Sequence, residues 1–216
     1  MARGRNGVVA PRDRSEEVYA AALRLFTEKG YHATSMQDIA DAVGLYKGSL
    51  YHYISGKEEL LERVFEGAMD ALLCDAERVI ADASLSPRLQ LRKLLEVHVM
   101  AVASNLDALT VYLHEYRALS AGSFDKVREQ RERYRELVET VIAHGVEMGE
   151  FGVVDVSITT LGVLGMCNWL AQWYRQDGRL SAEQIAEQFG DLVINGLVFR
   201  AEGEISDCLT EGADEG

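Results

Sequence analysis

Apolar positions recur at spacings of three and four along most of the chain, with no sustained alternation of period two, and this pattern predicts helices. Val18, Ala22, Leu25 and Phe26 form one stripe over residues 12–29, closed by Gly30. Met36, Ile39, Ala40 and Val43 form a second, shorter one, opened by Ser35 and Asp38 in capping-box order. Gly44 follows its last periodic residue, where a glycine can take the left-handed conformation that ends a helix. Over residues 46–53 only Leu50, with Ile54 just beyond, serves as a core anchor. A long stripe of Leu60, Leu61, Val64, Phe65, Met69, Leu72 and Leu73 then covers 57–82, about 39 Å of helix at 1.5 Å per residue. Ser86-Pro87 starts the next helix, as an N-cap before a proline at the first helical position. Helices follow at about 106–120, 123–147 and 155–175, and Ser181 with Gln184 caps a last one running to about residue 200. The fold expected is all-α, with nine helices.

Residues 34–60 run in the order short helix, glycine turn, short helix, capped long helix, which is helix-turn-helix grammar. The second short helix is too brief to hold itself helical in water. Its polar and aromatic face of Lys47, Gly48, Ser49, Tyr51, His52 and Tyr53 therefore needs a partner. Small residues at 48 and 49 allow close backbone approach to DNA, while hydroxyls and imidazole reach phosphates or base edges. Lys57, at a helix N-terminus beside free amides, is a candidate phosphate clamp. The same spacing also fits a plain helical hairpin in which Tyr46, Tyr51 and Tyr53 are partly buried aromatics. Periodicity leaves both readings open.

Residue identities separate them. Ala22 to Tyr31 reads A-x-x-L-F-x-x-x-G-Y, followed by Thr34-Ser35, Asp38-Ile39-Ala40, Val43-Gly44, Lys47-Gly48-Ser49-Leu50-Tyr51-His52-Tyr53 and Lys57-Glu58-Glu59-Leu60-Leu61. On these residues, positions 15–65 resemble the N-terminal domain of the TetR family of bacterial transcriptional repressors. The resemblance implies a homodimer on a palindromic operator of double-stranded DNA, contacted through Thr34, Ser35, Lys47, Gly48, Ser49, Tyr51, His52, Tyr53 and Lys57. Tyr46 departs from the family pattern, which more often has a small or β-branched residue there. The implied organisation is a basic arm at 1–11, a helix-turn-helix domain at 12–56 and a connecting helix at 57–82. A ligand-binding and dimerisation domain at 83–201 and an acidic tail at 202–216 complete it.

Taken whole, the charge opposes DNA binding, since the formal net value is −13. It is unevenly spread. Residues 1–57 hold 8 Lys/Arg against 6 Asp/Glu, and residues 58–216 hold 14 against 29. DNA affinity depends on the local cationic face, so the acidic remainder orients docking rather than forbidding it. Arg3, Arg5, Arg12 and Arg14 could reach a minor groove or phosphates, or belong to a tail with no role. Cys74, Cys167 and Cys208 fit neither a disulfide framework nor a zinc pattern, and no secretory signal is read, so a reduced cytoplasmic setting is expected. The nineteen residues 156–174 carry no charge. Ser157, Thr159, Thr160, Asn168 and Gln172 within them favour a buried helix over a membrane span. His98, His114 and His144 lie one to a helix without catalytic spacing, so no enzyme, metal or cofactor is expected.

The last two helices are apolar enough to suggest a second protomer. Leu161, Leu164, Gly165 and Leu170 on the eighth, with Ile185, Phe189, Leu192 and Val193 on the ninth, would close an isologous four-helix interface. They could equally finish a monomer core; the family resemblance favours the dimer. Two recognition helices would then sit roughly 34–36 Å apart, one turn of DNA. His98, Tyr112, Tyr116, Arg117, Trp169, Trp173, Tyr174 and Arg175 are candidates to line an effector cavity, or to be core. The stretch 168–175 with 177–181 is similar to TetR-family regulators of fatty-acid and steroid catabolism. That likeness implies a small hydrophobic effector of the acyl-CoA thioester kind, with Arg175 or Arg179 for its phosphates. Effector would tilt the long connecting helix and spoil the spacing of the two readers.

Overall fold

A computed structural model of the chain describes residues 14–115, 125–152 and 155–198, and of these the side chains of 64 and 112–115 are left aside. Among the described residues there are nine helices and no strand. They are α1 (Arg14–Lys29), α2 (Met36–Ala42), α3 (Lys47–Leu50), α4 (Lys57–Ala81), α5 (Pro87–Ser104), α6 (Leu106–Glu115), α7 (Asp125–Glu147), α8 (Val156–Trp173) and α9 (Ala182–Leu197). The starts follow their capping signals. Ser35 Oγ accepts from the Asp38 amide at 3.1 Å, and Asp38 Oδ2 accepts from the Ser35 amide at 2.8 Å. Ser181 and Gln184 make the same reciprocal box for α9, and Asp155 caps α8 by accepting from the Ile158 amide at 2.9 Å. Gly30 and Gly44 close α1 and α2 at φ 87 and 66. Nothing lies within 4 Å of a Cβ built on Gly44, so only its backbone requires glycine.

By its contacts the chain divides into two units that do not follow the linear boundaries drawn from sequence. One comprises residues 14–69 with 105–115 and 125–129; the other comprises 70–104 with 130–198. Both α4 and α7 contribute to each. In the first unit, Val18, Ala22, Phe26, Ile39, Leu50, Ile54, Leu60 and Leu61 make a core that Ala108 of α6 and Val127 of α7 complete. Each fully buried Leu, Ile or Phe contributes about 1.5–3 kcal/mol of transfer free energy, so this shared core supports helices too short to persist alone. In the second unit α5 is central, packed against α8 and α9. Leu91, Leu94, Leu95 and Val99 face inward, and Arg92 meets Asp191 of α9 at 2.5 Å. Polar ties join α4 to α7 within each unit: Lys126 to Glu66 at 2.9 Å in the first, Arg133 to Glu77 at 2.5 Å in the second. No helix among the described residues is long and apolar enough to cross a membrane.

The arm at 1–11 with Arg12, the residues Tyr116 and Arg117, and the tail at 202–216 with Cys208 lie outside the described residues. So do the side chains of Tyr112 and His114, which stand on α6.

Candidate nucleic-acid interface and effector site

The second short helix is shorter still in the structure than the pattern suggests. Regular α3 is four residues, Lys47–Leu50, and the chain continues to Ile54 through turn bonds such as His52 N to Ser49 O at 3.2 Å and Tyr53 N to Leu50 O at 2.9 Å. Leu50 and Ile54 are buried and hold this segment on the core. The rest of the segment points out. Lys47, Gly48, Tyr51, His52 and Tyr53 are exposed, and Ser49 is half-buried. Tyr46, at the start of α3, is 88% exposed, the highest value of any large apolar side chain described. The result is one face carrying a cation, an imidazole, a hydroxyl and three phenols around a glycine, suited to the phosphates and base edges of a groove.

Two candidate DNA contacts face the other way. Thr34 is buried, and its hydroxyl donates to the carbonyls of Leu25 at 3.1 Å and Gly30 at 2.9 Å. It ties the end of α1 to the α2 entry. Lys57 likewise turns inward: its ammonium donates to Tyr31 O and Thr34 O, each at 2.7 Å, and lies 4.6 Å from the centre of the Tyr31 ring. Two carbonyls and an aromatic face hold it in place, and it fastens α4 to the α1–α2 turn. Ser35 stays exposed but is committed to its cap. Asp38, taking bonds from the Ser35 hydroxyl and amide and from Lys29, is held far below the usual carboxylate range.

In the second unit, His98 lies buried on α5 and is, among the described residues, the one expected effector contact that points inward. Leu91, Leu94, Leu95, Tyr134, Val138, Val163 and Leu164 pack around it along a seam that is nowhere wide enough for water. Its Nε2 is 3.2 Å from Asn168 Oδ1, its ring meets Tyr134 edge-on at 5.3 Å, and burial depresses its pKa to about 4. Trp169 and Trp173, expected in the cavity wall, are instead 65% and 47% exposed on the opposite face of α8. Tyr174 is half-buried, and Arg175, fully at the surface, is 3.4 Å from Asp177. Among the described residues, His98 thus sits in a tight apolar seam while Trp169, Trp173 and Arg175 lie at the surface.

The same outward turn redraws the proposed dimer surface. Leu170, Ile185 and Val193 are buried within their own chain and leave that surface. Leu164 and Phe189 are half-buried, and Phe189 meets the Trp173 ring at 6.5 Å. Leu161, Gly165 and Leu192 do face out. Leu161 and Gly165, with Ile158, Gly162, Trp169 and Trp173, make an apolar, uncharged face along α8, whereas Leu192 is exposed on α9 next to Asp191.

A family model described as "Bacterial regulatory proteins, tetR family" matches residues 18–64, and one described as "Tetracyclin repressor-like, C-terminal domain" matches residues 84–197, more than half of the chain. The chain belongs to the TetR family. It is 32% identical over 187 residues to the HTH-type transcriptional repressor KstR2 of Rhodococcus jostii, covering 85% of this chain and 91% of that one. Among solved structures it is similar to PfmR, a TetR family regulator of Thermus thermophilus (36% identity, TM-score 0.78, 84% of this chain and 99% of that). It is also similar to AibR crystallised with isovaleryl coenzyme A and operator DNA (29% identity, TM-score 0.74, 83% and 97%).

Within this TetR-family chain, three residues stand out that were not among the candidate site residues. Tyr46 joins the α3 face, and its departure from the family pattern was the available signal. Ile158 extends the apolar face, one helical turn before Leu161 and Gly162. Asn168 gained significance only through its bond to His98, seventy residues away, which no local pattern announces.

Proposed function

We propose that the chain is a dimeric, DNA-binding transcriptional repressor that releases a palindromic operator when a small hydrophobic effector, of the acyl-CoA thioester class, binds its second unit. The observation that carries the DNA reading is the outward face of Tyr46, Lys47, Tyr51, His52 and Tyr53, mounted on a segment whose only inward anchors are Leu50 and Ile54. A segment so exposed is explained by a partner surface. The apolar face of α8 supports pairing with a second copy, which sets two readers one DNA turn apart. Relatives named as repressors, and AibR with an acyl-CoA and an operator, support regulation over catalysis. Operator DNA as partner implies a cytoplasmic setting.

In this reading α4 carries the coupling. Its first half belongs to the unit with the reader and its second half, with Leu72, Leu73 and Ala76 buried, belongs to the unit with His98. An effector with unequal affinity for two positions of α4 shifts operator affinity by the difference, typically ~1–3 kcal/mol. The closed seam favours one alternative, a DNA-binding regulator without small-molecule control. A gel shift on the DNA upstream of its own gene, with a panel of short-, long-chain and ring-bearing acyl-CoAs, decides between them. Binding abolished by one class of thioester is the expected result. Binding unchanged across the panel supports the uncontrolled regulator, and no binding to any such DNA defeats the proposal.

A further inference from the structure

Only one of the two ring nitrogens of His98 is engaged. Nε2 faces the carboxamide oxygen of Asn168, and Nδ1 is buried with no hydrogen-bond partner among the described residues. A carboxamide oxygen only accepts, so Nε2 carries the proton and Nδ1 presents a lone pair. Burial among Leu91, Leu95, Val138, Val163 and Leu164 keeps the ring neutral near pH 7. The titratable groups packed nearby are Tyr134 of α7, beside the ring, and Cys167 of α8, beside Tyr134; burial pushes both upward, so neither supplies a charge there. An orphaned acceptor between apolar walls is costly when empty and selective when filled, because only a donor relieves it.

We propose that this seam receives the apolar body of the effector, and that this body carries a hydroxyl or N–H group donating to His98 Nδ1. The inference rests on the reading of the protein as effector-controlled. It narrows that reading: a ketone or thioester carbonyl, which only accepts, gains nothing at Nδ1, so a thioester group would have to lie elsewhere. The seam admits no water as it stands, so an occupant parts α5 from α8 as it enters. Entry and helix displacement are then one event. A hydroxylated ligand satisfies Nδ1 in the opened seam, whereas its deoxy counterpart leaves the nitrogen orphaned in a wider apolar space.

The test uses the full chain and two small probes matched in size, cyclohexanol and methylcyclohexane. Both are titrated into protein carrying ¹⁵N-histidine, with the His98 ring signals as readout. Cyclohexanol should bind about tenfold more tightly and shift the Nδ1 resonance. His98→Phe, checked for an unchanged melting curve, should bind the two probes alike. Equal binding to the native protein, binding without an Nδ1 shift, no binding by either, or a preference that survives in His98→Phe overturns the proposal. The thioester gel shift keeps the two ideas apart. Operator release without an alcohol preference removes the donor requirement alone, and an alcohol preference without release by any effector removes effector control alone.

Discussion

Two faces of this protein expose aromatic side chains, and they do so in opposite chemical company. Around α3, Tyr46, Tyr51 and Tyr53 stand among Lys47, Ser49 and His52, so each ring has a polar tip or a polar neighbour. On α8, Trp169 and Trp173 stand with Ile158, Leu161, Gly162 and Gly165, in a stretch without a single charge from residue 156 to 174. Exposure is similar; the neighbours differ. A phenol beside a cation is stable in water and complementary to a phosphate-lined groove. A tryptophan beside leucine and glycine gains most by meeting another dry helix, and the glycines let that helix come close. Surface aromatics thus indicate that something docks, and the residues around them indicate what.

If the α8 face pairs two protomers, charging it should have the largest effect. Leu161→Glu with Trp169→Glu should leave a folded monomer in sedimentation. Each buried apolar side chain is worth about 1.5–3 kcal/mol and symmetry counts it twice, so the loss should be at least about 5 kcal/mol. A double variant that stays dimeric at micromolar concentration would sink the assignment.

The unit bearing that face also holds a pH-sensitive core. His98 titrates near the ordinary 6.5 when unfolded and at about 4 when folded. Because the folded value is the lower one, the unfolded chain takes up the proton first as pH falls. Stability is therefore complete above pH 6.5 and declines by about 3 kcal/mol on the way to pH 4. Urea unfolding of native protein minus His98→Phe isolates this effect from the surface carboxylates; a flat difference between pH 7 and 4 refutes it.

Smaller effects sharpen the α3 side. Lys57→Ala should lower the stability of the reader by about 2 kcal/mol, by removing charged hydrogen bonds, and leave the salt dependence of operator binding unchanged. A reduced salt slope would return Lys57 to the phosphate-binding face. Lys47→Ala should do the reverse. Its slope of log affinity against log salt should flatten by about 0.9 for each phosphate that Lys47 neutralises, with folding stability within about 0.5 kcal/mol of the parent.

Much of the architecture was legible because it is encoded within a turn or two of helix. Ser35 with Asp38, Ser181 with Gln184, and Gly44 are local instructions, and each cap or turn formed as the spacing implied. Inward stripes such as Val18, Ala22, Leu25 and Phe26 were equally plain. The bonds of Thr34 and Lys57 were not legible because their partners are backbone carbonyls, and a carbonyl has no sequence signature. The outward position of Trp169 and Trp173 was not legible because an uncharged helix offers no polar face to orient it. Which side of α8 turned inward was decided by its packing on α5.

By itself, the sequence determined the helical periods, the caps and glycine turns that bound them, and the family, since these depend on residue types at short fixed spacings. Tertiary structure alone decided that α6 and the start of α7 complete the reader's core. It also left one nitrogen of His98 bonded to Asn168 and the other without a hydrogen-bond partner among the described residues. Those outcomes arise from contacts between residues far apart in the chain, where burial, rather than local propensity, selects the partner.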